Sequence, residues 1–171
     1  VGKSSLINKL LGENRVIVDK GLKILHNPKR IGIRAVMEVA GVLDKPLSAS
    51  TIAFSIAPRL NAAGRLGSAA TAVELLLTND ESRARELALL LDTENKERQQ
   101  TERQIFDEAL ELIAKDPNFE KKKVIVLAQE NWHQGVIGIV ASRLCDMYYK
   151  TCILISHTNG VGKGSGRSIK G

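Results

Sequence analysis

No stretch of this sequence stays apolar for long. Its apolar runs, such as Leu87 to Leu91 and Cys152 to Ile155, fall far short of the ~20 residues that a membrane span needs. No apolar h-region follows the basic residues at the start. A membrane span and an export signal are therefore not predicted, and the expectation is a soluble cytoplasmic chain. Cysteine is equally scarce: Cys145 and Cys152 are the two present, with no metal-ligand spacing and no neighbouring histidine. This argues against a zinc site and a disulfide framework, and predicts reduced, partly buried thiols. Internal repeats and low-complexity tracts are also missing, and from Thr78 onward no Gly or Pro occurs until Pro117.

What is present suits a globular protein with a core. The chain has 171 residues, 43% of them hydrophobic, enough for one ordinary domain or two small ones. Its net charge of +6 is unevenly placed. Residues 1–34 carry eight Lys/Arg against two acids, residues 35–78 balance, residues 79–120 carry six against twelve, and residues 121–171 carry eight against two. Two basic blocks flank an acidic middle, and either could attract a polyanion or simply form a solvated face.

The uninterrupted acidic middle predicts a long helix. Thr78 and Asp80 offer N-cap oxygens, and Glu81 suits the positive end. Ala84, Leu87 and Leu91, then Ile105, Ala109 and Leu112, recur at helical spacing. Asp92 to Gln104 reads as polar on every side, which predicts a solvated strut between two packed parts. Before it, IRAVMEVAG, SASTIAFSIAPRLNAAGR and SAATAVELLL predict short helices. After it, KKKVIVLAQE, GVIGIVASRLCDMYY and KTCILIS predict strand, helix and strand: a βαβ unit with a parallel pair, hence an α/β class.

Three segments exceed what packing requires. In APRLNAAGRLG, Arg59 and Arg65 flank Asn61 in a turn-forming context between helices. Guanidinium forks and an amide there could hold phosphate oxygens, or tie helix ends together. In ENWHQGVIGIV, His133 and Gly135 stand at the carboxyl end of the first strand, where open α/β sheets place ligands. His133 is the candidate catalytic residue, able to donate to a phosphate or shuttle a proton, although a lone histidine also serves as a structural hydrogen bonder. In GVGKGSGRS, Gly164 and Gly166 alternate with Lys163, Ser165 and Arg167, and Ser168 follows. This predicts a glycine loop through which backbone, hydroxyls and cations approach an anion, or else a flexible turn.

APRLNAAGRLGSAATAVELLLT, the polar helix, WHQGVIGIVASRL and GKGSGRS, in that order and spacing, resemble the RecJ-type single-strand-specific 5′-to-3′ DNA exonucleases of the DHH phosphoesterase superfamily. LLGENRVIVDKGLKIL resembles the family's upstream segment, so the similarity runs from Leu11 to Gly171. The resemblance implies the helical end of a DHH catalytic domain at 19–78, a connecting helix at 79–116 and a partial DHHA1 α/β domain with parallel strands at 121–171. It implies single-stranded DNA as substrate, a role in DNA repair and recombination, and phosphodiester hydrolysis by water activated between two metal ions, Mn2+ or Mg2+. Carried onto this chain, Arg59, Asn61 and Arg65 face the DNA backbone from the catalytic domain, with His133 and Gly164 to Ser168 on the opposite wall.

The departures from the family pattern matter more. Its metal ligands include an Asp-His-His run, whereas the three histidines here, His26, His133 and His157, stand apart. The expectation is a fragment that binds no metal and does not cleave by itself, keeping the surface that holds the strand. Ala57 stands where the family has Gly, and Gln134 where Pro is common. A non-catalytic binding module, or a relative acting on short oligonucleotides or cyclic dinucleotides, is the alternative. The opening VGKSSLINKL resembles the phosphate loop of a Der-like or Era-like GTPase, but Gly2, Lys3 and Ser4 supply only its last third. Residues 1–18 are therefore expected to be a foreign or junction segment.

Overall fold

A computed structural model describes residues 22–169. The GTPase-like opening lies outside them. The chain divides into two compact units, Val1–Asn95 and Lys96–Gly171.

In the first unit, α1 (Ile31–Val39) buries Gly32, Ala35, Val36 and Met37. It ends in a Schellman turn, with the Gly41 N–H donating to Glu38 O and the Val42 N–H to Met37 O. A short α2 (Ala49–Thr51) opens on a capping box between Ser48 and Thr51. The chain then passes through a π-helical stretch, Ile52–Ile56, into α3 (Ala57–Leu66). Pro58 explains the widened turn. It has no N–H to give the preceding carbonyls, and a π register before it accommodates the loss. The helical reading of SASTIAFSIAPRLNAAGR thus holds, and the helix continues through the turn-forming context around Asn61, because Ala57 to Ala63 contains good helix formers and Pro58 sits in the first turn, where proline is tolerated.

Ser68 caps α4 (Ala69–Leu77) through its hydroxyl, which accepts from the Ala70 N–H at 3.2 Å. The long helix α5 (Glu81–Ala114) has 34 residues and opens on Asp80, whose carboxylate accepts from the Arg83 N–H at 3.0 Å. Val36, Met37, Leu75, Leu87, Ala88 and Leu91 form the centre of this unit's core. Gly32 marks its closest approach: a Cβ there would lie 1.7 Å from the backbone oxygen of Leu75.

The boundary between the units falls within α5. Its middle is polar in sequence but not solvated on every side. Asp92, Asn95 and Arg98 are all buried, because helical spacing puts them on one face. Arg98 pairs with Glu102 one turn on, at 2.7 Å.

In the second unit, Ile105, Phe106, Ala109 and Ile113 of α5 are buried. A 3-10 turn (Phe119–Lys121) leads to β1 (Val124–Glu130), α6 (Ile137–Tyr148), β2 (Thr151–Thr158) and β3 (Val161–Arg167). β1 and β2 pair in parallel, with Leu127 opposite Leu154. β3 joins the other edge of β2 antiparallel, with Leu154 opposite Ser165. The sheet is therefore mixed, in the order β1-β2-β3.

The glycine-rich stretch predicted as a loop is this third strand. Asn159 and Gly160, both left-handed at φ 52° and 77°, form the two-residue turn that returns the chain along β2. Both cysteines are free and buried. Burial and the neighbouring Cys145 push the Cys152 thiol up to about 11.

Replacing Gly32 with Ala is expected to destabilise the chain by about 3 kcal/mol, because the obstacle is backbone and cannot rotate away. Urea unfolding measures it, and a loss below about 1 kcal/mol would contradict the close helix approach.

Candidate nucleic-acid interface

The parity of β3 places its side chains. Arg167, Ser165 and Lys163 lie opposite Cys152, Leu154 and Ser156, and directly paired residues share a sheet face. Those three β2 residues are buried, on the face against which α6 packs. The cations of β3 are thus presented on the helix side. Gly162, Gly164 and Gly166 occupy the other face, where Cβ atoms would meet Ile155 and Ile153 at ordinary contact distances.

α6 reaches these side chains through a residue that has none. A methyl on Gly138 would lie 2.8 Å from the Ser165 hydroxyl and 2.9 Å from a terminal nitrogen of Arg167. Both groups therefore rest against the first turn of α6. Arg167 Nη1 donates to Ser165 Oγ at 3.1 Å and to the Gly166 carbonyl at 2.7 Å. No side chain caps that helix, so the positive end of its dipole adds to Arg167 and Lys163. Ser156, 1% exposed, has a hydroxyl with no hydrogen-bond partner among the described residues.

One turn before Gly138 stands His133, exposed to solvent. Its carbonyl accepts from the Val136 and Ile137 N–H groups at 2.9 and 3.1 Å. Its Nδ1 accepts from the Gly135 N–H at 3.1 Å, so in the neutral ring the proton sits on Nε2. Preceding it, Trp132 is buried and donates from Nε1 to Glu108 Oε2 at 2.7 Å. Asn131, left-handed at φ 63°, turns the chain out of β1. Glu130 and His157 form a loose pair at 3.9 Å at the same strand ends.

Around the first turn of α6 the second unit thus assembles His133, Gly135, Ser165 and Arg167. Lys163, Gly164 and Gly166 complete the adjoining strand, and Ser168 follows it, exposed. Arg59, Asn61 and Arg65 belong to α3 in the first unit. Arg59 is engaged internally. Its Nε donates to Asp92 Oδ1 at 2.8 Å and its Nη1 to the Ser55 carbonyl at 2.5 Å, with side chains 17% and 11% exposed across the Asp92 pair. Asn61 and Arg65 are exposed. Gly138, Trp132, Glu108 and Ser156 do not stand out in the sequence. Of these, Trp132 alone carries a signal, as the chain's one tryptophan and the neighbour of His133.

Among the described residues no three His, Cys, Asp or Glu side chains converge into a metal cage. No helix among them is long and apolar enough to cross a membrane.

No family model matches the chain. The single-stranded-DNA-specific exonuclease RecJ of Bacillus subtilis (strain 168) is 38% identical over 173 residues, which cover 100% of this chain and 22% of that protein. The protein of the same name from Haemophilus influenzae is 43% identical over 162 residues, 92% of this chain and 28% of that one. The crystal structure of RecJ from Thermus thermophilus in complex with Mn2+ matches with a TM-score of 0.77 at 38% identity, over 91% of this chain and 22% of that one. Its complex with Mg2+ matches with the same TM-score. The chain thus spans about a quarter of the relatives it matches.

Replacing Arg59 with Ala should destabilise the chain by about 3 kcal/mol, because it removes one partner of a largely buried ion pair with Asp92. Exposed Asn61→Ala should change stability by less than about 0.5 kcal/mol. Equal effects in urea titrations would dismiss Arg59 as a structural tie.

Proposed function

This chain is a RecJ-type segment, and from that premise we propose that it supplies the wall of such an exonuclease that grips the backbone of single-stranded DNA. The observation that carries this is the seat of Ser165 and Arg167 against Gly138, at the uncapped start of α6. It joins a helix-end dipole, a guanidinium, a hydroxyl and, one turn earlier, the Nε2–H of His133. All of them donate, which suits a phosphodiester. None of the β3 residues is acidic. In this reading Arg167 and Lys163 contact phosphate oxygens, Ser165 and Ser168 donate hydroxyl hydrogen bonds, and Gly135 lets the strand come close to the backbone, while Gly164 and Gly166 face away from these donors. Recognition is then indifferent to base sequence.

The α/β unit is assigned to a DHHA1 domain and the helices before it to the end of a DHH domain, in a cytoplasmic enzyme of DNA repair. Asn61 and Arg65, exposed on α3, are the first unit's contribution to strand binding. In the longer enzyme Mn2+ or Mg2+ would supply Lewis-acid activation of water. The histidines and carboxylates described here do not fit such an ion, so no hydrolytic step is assigned to them, and His133 holds a phosphate oxygen rather than a metal.

Binding of 5′-phosphorylated oligothymidylate should weaken with salt. Each cation removed from the Lys163/Arg167 pair should lower the log–log salt slope by about 0.7. An unchanged slope in the double alanine variant would refute backbone contact there. Gly138→Ala should bind several-fold more weakly in the same titration while keeping its stability within about 1 kcal/mol, since only flexible tips are displaced and alanine favours helix. Incubated with this oligonucleotide and Mn2+, the chain should release no nucleotide, and robust degradation would disprove the assignment of hydrolysis to ligands outside it.

A further inference from the structure

His133 is held on both sides, and one side leads to a carboxylate that no motif predicted. Trp132 is 4% exposed. Its ring is fixed by the 2.7 Å hydrogen bond from Nε1 to Glu108 Oε2, and charge on the acceptor makes this one of the stronger bonds available to an indole. The carboxylate is itself held, since Gln104 Nε2 donates to its other oxygen at 2.9 Å. On the far side, Gly135 N–H fixes Nδ1 of His133, and the Val136 and Ile137 N–H groups fix its carbonyl. Before Trp132, the Asn131 N–H reaches the His157 carbonyl at 3.4 Å.

A buried tryptophan in a strand-to-helix turn needs a partner for its N–H. Taking that partner from α5 makes the long helix the reference for the turn. Nothing else ties the indole nitrogen in place among the described residues.

We propose that Glu108, acting through Trp132, is a positioning residue that sets the direction of the His133 Nε2–H toward the DNA backbone. Glu108 touches no substrate. It anchors the indole, the indole anchors the chain immediately before His133, and the ring can then accept from Gly135 and offer its proton outward. This rests on the proposed contact between His133 and the strand. Removing the carboxylate should free the turn, let the imidazole exchange its Nδ1–H and Nε2–H forms, and weaken binding without altering any group that meets DNA.

The test uses the full chain, 5′-phosphorylated oligothymidylate as probe, and the imidazole nitrogen resonances of His133. The unaltered chain should show the Nε2–H form. Glu108→Ala should give a mixture and bind about three- to tenfold more weakly. Trp132→Phe, which keeps a ring but lacks the donor, should do the same, so the result does not depend on one variant folding. Glu108→Gln should restore both readouts, since its amide oxygen accepts the indole proton and Gln104 can turn its carboxamide over. Glu108→Ala combined with His133→Ala should bind no more weakly than His133→Ala alone. Unchanged tautomers and affinity in Glu108→Ala and Trp132→Phe, or additive losses in the double variant, would overturn the proposal. If His133→Ala itself binds like the unaltered chain, the contact between His133 and the strand is wrong, and the role of Glu108 in binding falls with it.

Discussion

Asn159 and Gly160 decide which way the cations of β3 face. A turn of two left-handed residues fixes the register of β2 against β3, and the strand period of two does the rest. Lys163, Ser165 and Arg167 fall on the side of α6, and three glycines fall on the other. With the opposite parity the bare face would meet the helix, and the donors would be lost from its first turn. The candidate interface is therefore a property of a hairpin and one helix end together, with Gly138 as the place where they fit.

The helices and the parallel pair are legible because their signals are local. Apolar spacing in IRAVMEVAG and SAATAVELLL, and the bounded runs KKKVIVLAQE and KTCILIS, correspond to α1, α4, β1 and β2. β3 reads as a loop in sequence because glycine at alternate positions carries little strand propensity. A signal against a loop is also in the sequence, in the Asn-Gly pair that precedes it. APRLNAAGRLG carries both a helical pattern and the turn formers Pro58, Asn61 and Gly64, and the helix prevails. In the structure a π-helical stretch absorbs the proline.

What stays hidden is set by partners distant along the chain. Asp92 sits in a run that looks solvated, yet it is buried because Arg59 lies 33 residues earlier on a packed neighbour. Trp132 finds its acceptor 24 residues back in a helix notable for its polarity. Such pairs leave no periodic trace, and both side chains read as ordinary surface groups until the fold joins them. The ordered motifs carry the family resemblance, whereas the chemistry of individual residues depends on which of them the fold has already engaged. Arg59 is the clearest case, with two of its donors facing inward.

The hairpin's sidedness rests on pairing and not on the length of its connection. Thr158 and Val161 oppose each other across the turn, and opposed residues share a face, so extra residues between them would leave Lys163, Ser165 and Arg167 where they are. One residue added inside the ladder, between Val161 and Lys163, would instead move each of them along by a single place and carry every basic group to the glycine surface. The tip can vary in length, while the paired segment that follows it cannot.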